Sequence, residues 1–393
     1  MGSEYLESNE KILKELCNRG LKGEYELIPN QIAFPLTNKC NNYCIMCHAC
    51  DKKYENHTYY NDIPFEVSLK QYKRILPLPS RTILDKILNK NKTYEESIEF
   101  VFGSAETLLN QDIYKILKYT KDIYPNCVIR LISNGTIPPN PPDIVKYIDR
   151  IGFSVDGCTE ETYNYLRTPA KFSHAMDTIR RWDDAASKYN VKFSFGFGTV
   201  LSSVNINQLA GIIKLASSFK HMDSVYVQPI ILHESKKHLE NLLLKNVSSD
   251  ILRKYINEAK AVSDEVGVRI DGLSSIDNST IKTDIKENGS LDFENSRYCR
   301  YMWNKIISFN DKGEFKYLCC YMSVDKGNEL INKYNIPKNG SPREIYNSNE
   351  FWNLRKDMLS GILTEYCKGC NLCNNGYNLL STKKVNFDNS FYV

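Results

Sequence analysis

The chain has 393 residues, above the ~250–300 at which one hydrophobic core stops growing, so a large domain with a smaller companion is expected. Hydrophobic residues make up 42% and charged residues 25%, an ordinary globular balance, and a net charge of +4 is too small for this length to point to nucleic acid or an acidic membrane. No run reaches ~18 uninterrupted apolar residues and the N-terminus, Met1-Gly-Ser-Glu, lacks a basic and apolar signal sequence, so a cytoplasmic protein without a membrane span is expected.

Residues 4–20 read as an amphipathic helix, with Leu6, Ile12, Leu13, Leu16 and Cys17 on one face; residues 1–30 are expected to be an N-terminal helical extension. From residue 31 the pattern alternates. Strands are predicted at 31–37, 97–103, 127–133, 150–156, 192–200 and 224–231, and helices near 65–76, 110–123, 141–149, 172–189, 206–219 and 249–266. Such alternation implies an α/β fold of parallel strands with helices outside. An insertion at 48–96 exceeds what a simple connection needs. After about 270 the alternation stops and a small α+β region, 271–375, begins. It holds a β-hairpin around Asn310-Asp-Lys-Gly313 and a helix near 348–360, followed by a tail at 376–393.

Thirteen cysteines, an odd number without a secretory signal, argue against a disulfide framework and for metal. Most fall into two groups. The first is Cys40-Asn-Asn-Tyr-Cys44-Ile-Met-Cys47, directly after the first strand. Three thiolates from one tight loop can hold three irons of a cubane cluster, leaving the fourth iron open to a ligand. Half a zinc site is the alternative, although zinc usually takes CxxC pairs, and His48 and Cys50 lie close enough to enter the count. The second group is Cys299, Cys319, Cys320, Cys367, Cys370 and Cys373, enough for a four-thiolate cluster or a structural zinc ribbon.

The spacing CxxxCxxC after a first strand resembles the signature of the radical S-adenosylmethionine (radical SAM) superfamily. The resemblance covers 31 to about 375 and implies a partial (β/α)6 TIM-like barrel, whose chemistry sits at the C-terminal ends of the strands. It implies that Cys40, Cys44 and Cys47 hold a [4Fe-4S] cluster whose open iron is chelated by SAM. One electron then cleaves SAM, giving methionine and a 5′-deoxyadenosyl radical that takes hydrogen from the substrate. Met46 stands where the family usually has an aromatic residue against the adenine, and a thioether can pack there too. Phe102-Gly103-Ser104-Ala105-Glu106 resembles the Gly-Gly-Glu-Pro motif that binds the SAM ammonium. Here Ser104 takes the place of the second glycine, Ala105 is interposed and Thr107 replaces proline. An acid here would also cap the following helix. Ser133-Asn134-Gly135 is similar to the family's Thr-Asn-Gly turn. Ser154-Val-Asp156-Gly157, with Tyr163 and Arg167, resembles the Ser-x-Asp-Gly…Tyr…Arg segment. Ser154 and Asp156 share one side of a strand. The resemblance implies Ser154 at the SAM ribose or carboxylate and Arg167 at the carboxylate. Gly196 and Gly198 would admit the adenosine close to the backbone, and the Gln228 backbone would meet the adenine.

The C-terminal cysteines resemble a twitch domain, the shortened SPASM domain, which implies an auxiliary [4Fe-4S] cluster on Cys299, Cys319, Cys367 and Cys370. Cys320 and Cys373 remain alternatives. The expected activity is oxidation or epimerisation of a small polar metabolite (a sugar, aminocyclitol or amino-acid derivative), with maturation of a ribosomally made peptide as the alternative. Only about 30 residues precede the first strand, which favours the small substrate. An electron carrier that never cleaves SAM is the reading from another class. A reducing protein such as flavodoxin or ferredoxin is the expected partner. Tyr59, Glu106, Asp156 and His174 are acid/base candidates, none singled out by spacing.

Overall fold

The computed structural model describes residues 14–24, 26, 31–47, 65–76, 98–103, 105–230, 232, 234–273, 276, 302, 305–309, 314–317, 324–360 and 362. His48, Cys50, Tyr59, Ser104, Cys299, Cys319, Cys320, Cys367, Cys370, Cys373, most of the 48–96 insertion and the 376–393 tail lie outside the described residues. The chain divides into two compact units, one of Met1–Phe34, Leu69–Phe100 and Glu287–Asp388, the other of Pro35–Ser68, Val101–Lys286 and Asn389–Val393.

The second unit carries most of the parallel α/β sheet. After β2 (Glu99–Phe102), whose last two residues belong to this unit, come β3 (Val128–Ser133), β4 (Arg150–Ser154), β5 (Ser194–Leu201), β6 (Met222–Pro229) and β7 (Arg269–Asp271), in the spatial order β7-β6-β5-β4-β3-β2. Each printed pairing from β3 to β7 is parallel. The sheet is not closed, as a partial TIM-like barrel requires. Strands covered on both faces bury nearly every residue, so β4 reads Ile151-Gly-Phe-Ser154 without an exposed position. β7 is a seventh strand that the sequence did not announce, because three residues give too little pattern.

The intervening helices are amphipathic. Helix α4 (Phe172–Lys188) buries Ala175, Met176, Ile179, Trp182 and Ala186 at helical spacing. Trp182 packs on Phe153 and Phe193, and its indole N–H donates to Ile137 O at 2.9 Å, so the ring is buried without a stranded donor. Helix α6 (Ser249–Val266) starts on a Ser248 hydroxyl that accepts from Ile251 N and ends at Gly267, whose φ of 72° only glycine adopts cheaply. The helix expected at 141–149 is instead a 3-10 segment, Pro142–Tyr147, begun by a proline at its first position. A short helix at Glu160–Leu166 (α3), capped by Thr159, was not expected.

In the first unit, β1 (Gln31–Ala33) pairs in parallel with β8 (Lys305–Phe309), and β8 pairs antiparallel with β9 (Phe315–Tyr317), the hairpin read from the sequence. Residues 14–21 are helical, and a Cβ added at Gly20 would meet the Trp352 ring at 2.1 Å, so that helix packs tightly on α9 (Asn349–Leu359). Arg355 of α9 is fully buried. It donates to Met302 O and Tyr346 O, both at 2.8 Å, and stacks on Tyr346, Phe351 and Trp352, which compensates a guanidinium taken out of water.

Candidate functional site

The cysteine loop follows β1 and is held by hydrogen bonds within the second unit. Tyr43 N donates to Thr168 O at 2.8 Å and Ile45 N to Leu166 O at 3.2 Å, splicing the loop to the end of α3. Cys47 N donates to Cys44 O at 3.0 Å, closing a tight turn between the second and third cysteines, and Asn42 N donates to the Cys40 sulfur at 3.4 Å. Met46 is buried with Cys44, Leu166, Ile230 and Leu242. Burial pushes the Cys44 thiol up to about 12, against the downward pull of Arg167 and with Cys47 and Cys40 adding to the rise. A thiol in this state keeps its proton until a metal displaces it.

Glu106 is fully buried at the end of β2. Its Oε1 accepts from Leu108 N at 3.2 Å, capping the 3-10 turn Thr107–Leu109, and its Oε2 accepts from Asn134 N at 2.7 Å and Ser133 Oγ at 3.2 Å. Its own N–H donates to Lys39 O at 2.9 Å. The carboxylate thus caps a helix and ties the end of β2 to that of β3, while the backbone N–H of the same residue holds the cysteine loop. Burial raises it from 4.5 to about 7, the three hydrogen bonds opposing. A Cβ at Gly103 would stand 2.8 Å from the Ile132 side chain, and Ala105 has a φ of 50°. The turn before Glu106 is therefore both tight and strained.

Asn134 extends the network: its Nδ2 donates to Asn41 Oδ1 at 2.7 Å and lies 4.0 Å from the Cys40 sulfur, while its Oδ1 accepts from Thr136 N and Oγ1. Asn41 Nδ2 in turn donates to Thr136 Oγ1 at 2.8 Å. His174 Nε2 lies 3.2 Å from Thr136 O, at the margin of this network. Asn41 and Thr136 were missed from the sequence; the signal was their place inside motifs already singled out.

On the other side, Asp156 is fully buried, its Oδ1 accepting from Val200 N at 2.7 Å and its Oδ2 paired with Arg167 Nε. Arg167 Nη1 points at the Cys44 sulfur, 3.8 Å away. Burial alone would lower the guanidinium, but Asp156 and Cys44 more than offset it and hold it above its usual range. Asn205 Nδ2 donates to Asp156 O and Val200 O, a support that spacing did not reveal.

A small cleft opens at the C-terminal ends of these strands, lined by Ser154, Arg167, Gly198, Tyr226 and Gln228 with Ile132, Gly152, Thr199 and Val200. Four positions expected from the sequence (Ser154, Arg167, Gly198 and Gln228) thus meet at one space. Tyr226 joins them two residues before Gln228, on the same side of β6.

Three sulfur donors in one loop, beside a cation and an amide N–H₂ and with no fourth thiol of the described residues in the loop, suit a cluster held by three cysteines. Among the described residues no three His, Cys, Asp or Glu side chains form a metal cage.

An open parallel α/β sheet places its chemistry at the C-terminal ends of its strands, and the three-cysteine loop lies beside those of β2 and β3. Residues 34–216 match the model of the Radical SAM superfamily, so the chain carries a radical SAM domain. That family uses a [4Fe-4S] cluster and SAM. Uncharacterized protein MJ0907 of Methanocaldococcus jannaschii is 29% identical over 191 residues, 47% of this chain and 57% of that protein. SuiB of Streptococcus suis aligns at a TM-score of 0.56 and 12% identity, covering 87% of this chain and 72% of SuiB. SuiB bound to its precursor peptide SuiA aligns at 0.52 and 12%, covering 85% of this chain and 66% of that one. The structure of anSMEcpe with bound AdoMet and the Cp18Cys peptide aligns at 0.50 and 17%, covering 88% and 87%. The chain thus spans under two thirds of MJ0907 and of the peptide-bound SuiB chain. Among the described residues no helix is long and apolar enough to cross a membrane.

Proposed function

We propose that this chain is a radical SAM enzyme in which Cys40, Cys44 and Cys47 hold the cluster and the cavity lined by Ser154, Arg167 and Gln228 takes SAM. The observation that carries this reading is that these SAM-side residues line one cavity and that Arg167 reaches from it to Cys44. When bound, the cluster and SAM supply reductive SAM cleavage and hydrogen abstraction from a substrate. The chain's own residues bind and orient. Arg167, held charged by Asp156, offers donors to the SAM carboxylate, and Ser154 offers a hydroxyl to the carboxylate or ribose. Glu106 fixes Asn134 and, through Asn41, the cysteine loop. Its motif implies a further contact with the SAM ammonium. Met46, Ile230 and Leu242 supply an apolar wall for the adenine and exclude water.

For the substrate, a small polar metabolite undergoing oxidation or epimerisation is the reading from sequence. Maturation of a peptide is favoured by a specific observation: SuiB and anSMEcpe, which share the fold, were both solved with peptides bound. An auxiliary cluster on Cys299, Cys319 or Cys320, Cys367 and Cys370 or Cys373 would accept the substrate's electron, and a flavodoxin or ferredoxin would supply the reducing one.

The test is anaerobic reconstitution with iron and sulfide, then dithionite and SAM. About eight irons per chain and formation of 5′-deoxyadenosine are expected, with Cys44→Ala keeping about four irons and forming none. Stoichiometric zinc, or no deoxyadenosine from iron-loaded protein, would sink the proposal.

A further inference from the structure

The side chains of Asn134, Asn41 and Thr136 close a circuit of hydrogen bonds beside the cysteine loop. Asn134 Nδ2 donates to Asn41 Oδ1 at 2.7 Å, Asn41 Nδ2 to Thr136 Oγ1 at 2.8 Å, and Thr136 Oγ1 to Asn134 Oδ1 at 2.6 Å. The circuit runs one way only. Thr136 N also donates to Asn134 Oδ1, at 3.0 Å, and a backbone N–H can only donate. The Asn134 amide therefore has one orientation: its oxygen faces Thr136 and its N–H₂ faces the cysteine loop.

That N–H₂ carries two protons, and the circuit uses one. The same nitrogen lies 4.0 Å from the Cys40 sulfur, at the outer reach of an N–H···S bond. Asn134 is 7% exposed, so water offers little competition for the second proton. Its backbone N–H is held by the buried Glu106 carboxylate at 2.7 Å, which fixes where the side chain starts. The Cys40 sulfur accepts from Asn42 N within the loop, and Asn134 adds a donor from just past the end of β3. Holding the loop through Asn41 takes only the first proton.

We propose that the second N–H of Asn134 tunes the cluster held by Cys40, raising its reduction potential through the sulfur. The inference rests on the reading of Cys40, Cys44 and Cys47 as cluster ligands. A hydrogen bond to a ligating sulfur offsets part of the negative charge that an added electron brings, so the reduced state gains more than the oxidised one. Bonds to a charged acceptor are about twice as strong as neutral ones, so the donor counts most against a thiolate. The circuit supplies what such tuning needs, a donor whose direction is fixed by its own supports. Asn134 acts here through Cys40, as a positioning residue.

The experiment is an EPR-monitored potentiometric titration of the full chain, reconstituted anaerobically with iron and sulfide, following the reduced-cluster signal that changes on adding SAM. Asn134→Ser keeps an oxygen for Thr136 N but has no N–H. Its midpoint should fall by about 30 mV or more, roughly a threefold loss in the reduced-to-oxidised ratio at about 59 mV per tenfold for one electron. Tyr163→Phe removes a hydroxyl 3.5 Å from the Asn134 backbone oxygen and leaves the side-chain amide in place, so it should titrate like the parent. If Asn134→Ser does not load, the parent protein decides: with a nitrogen isotope label on its asparagine side-chain amides, pulsed EPR should show nitrogen coupling to the reduced cluster. An unchanged midpoint in Asn134→Ser, an equal fall in Tyr163→Phe, or no such coupling would overturn this proposal alone. A parent protein without a SAM-sensitive cluster signal would overturn it together with the radical SAM reading.

Discussion

Arg167 stands with Nη1 3.8 Å from the Cys44 sulfur while its Nε is paired with the buried Asp156 carboxylate. One guanidinium thus links the cysteine loop, the end of β4 and, through Val200 N on Asp156, the end of β5. Substituting Arg167→Met leaves Asp156 charged and buried, a loss of about 3–5 kcal/mol. The double variant Arg167→Met/Asp156→Asn should recover at least ~1 kcal/mol relative to the sum of the single variants. Anaerobic urea unfolding of the four proteins checks this, and strict additivity would show that the pair does not act as a unit.

The carboxyl of Glu106 sets a pH dependence. Its folded value, about 7, lies above the ordinary 4.5, so folding favours the protonated form. Stability from this group is fully present below about 4.5 and is lost as pH rises through about 7. The loss is on the order of 3 kcal/mol at full ionisation. Glu106→Gln should flatten the stability profile between these values. An unchanged slope in the variant would show that other groups govern it.

Ala105 is strained and Gly103 is tightly packed. Ala105, at a φ of 50°, occupies a conformation that glycine takes at no steric cost, so Ala105→Gly should be neutral or stabilising by up to about 1 kcal/mol. Gly103→Ala should destabilise by roughly 1–3 kcal/mol because its Cβ meets Ile132 at 2.8 Å, and Ile132→Val should return part of the loss. Urea midpoints with unchanged slopes are the readout.

The sequence carried the alternation of strands and helices because each element is long enough to show its period, and it carried the cysteine loop because spacing alone constrains thiolate chemistry. Ser154, Arg167, Gly198 and Gln228 were legible by motif and by strand end, and they do meet at one cavity. Asn41, Thr136 and Asn205 were not. Their importance comes from hydrogen bonds between segments distant in sequence, and no local pattern encodes such a bond. Pairing of β1 with β8 was hidden for the same reason, since above a dozen or so residues the length of a crossover says nothing about which parallel strands it joins. The 3-10 segment at Pro142–Tyr147 misled because its apolar residues mimic a helical face over too few turns to tell the two apart.

The backbone bonds Tyr43 N to Thr168 O and Ile45 N to Leu166 O join the cysteine loop to a segment far along the chain. The loop's length is therefore locked. A residue inserted between Tyr43 and Ile45 would shift one of these amides off its carbonyl. The letters of the loop can change more freely than its count, because the count is measured against the turn after Leu166 as well as by the thiols.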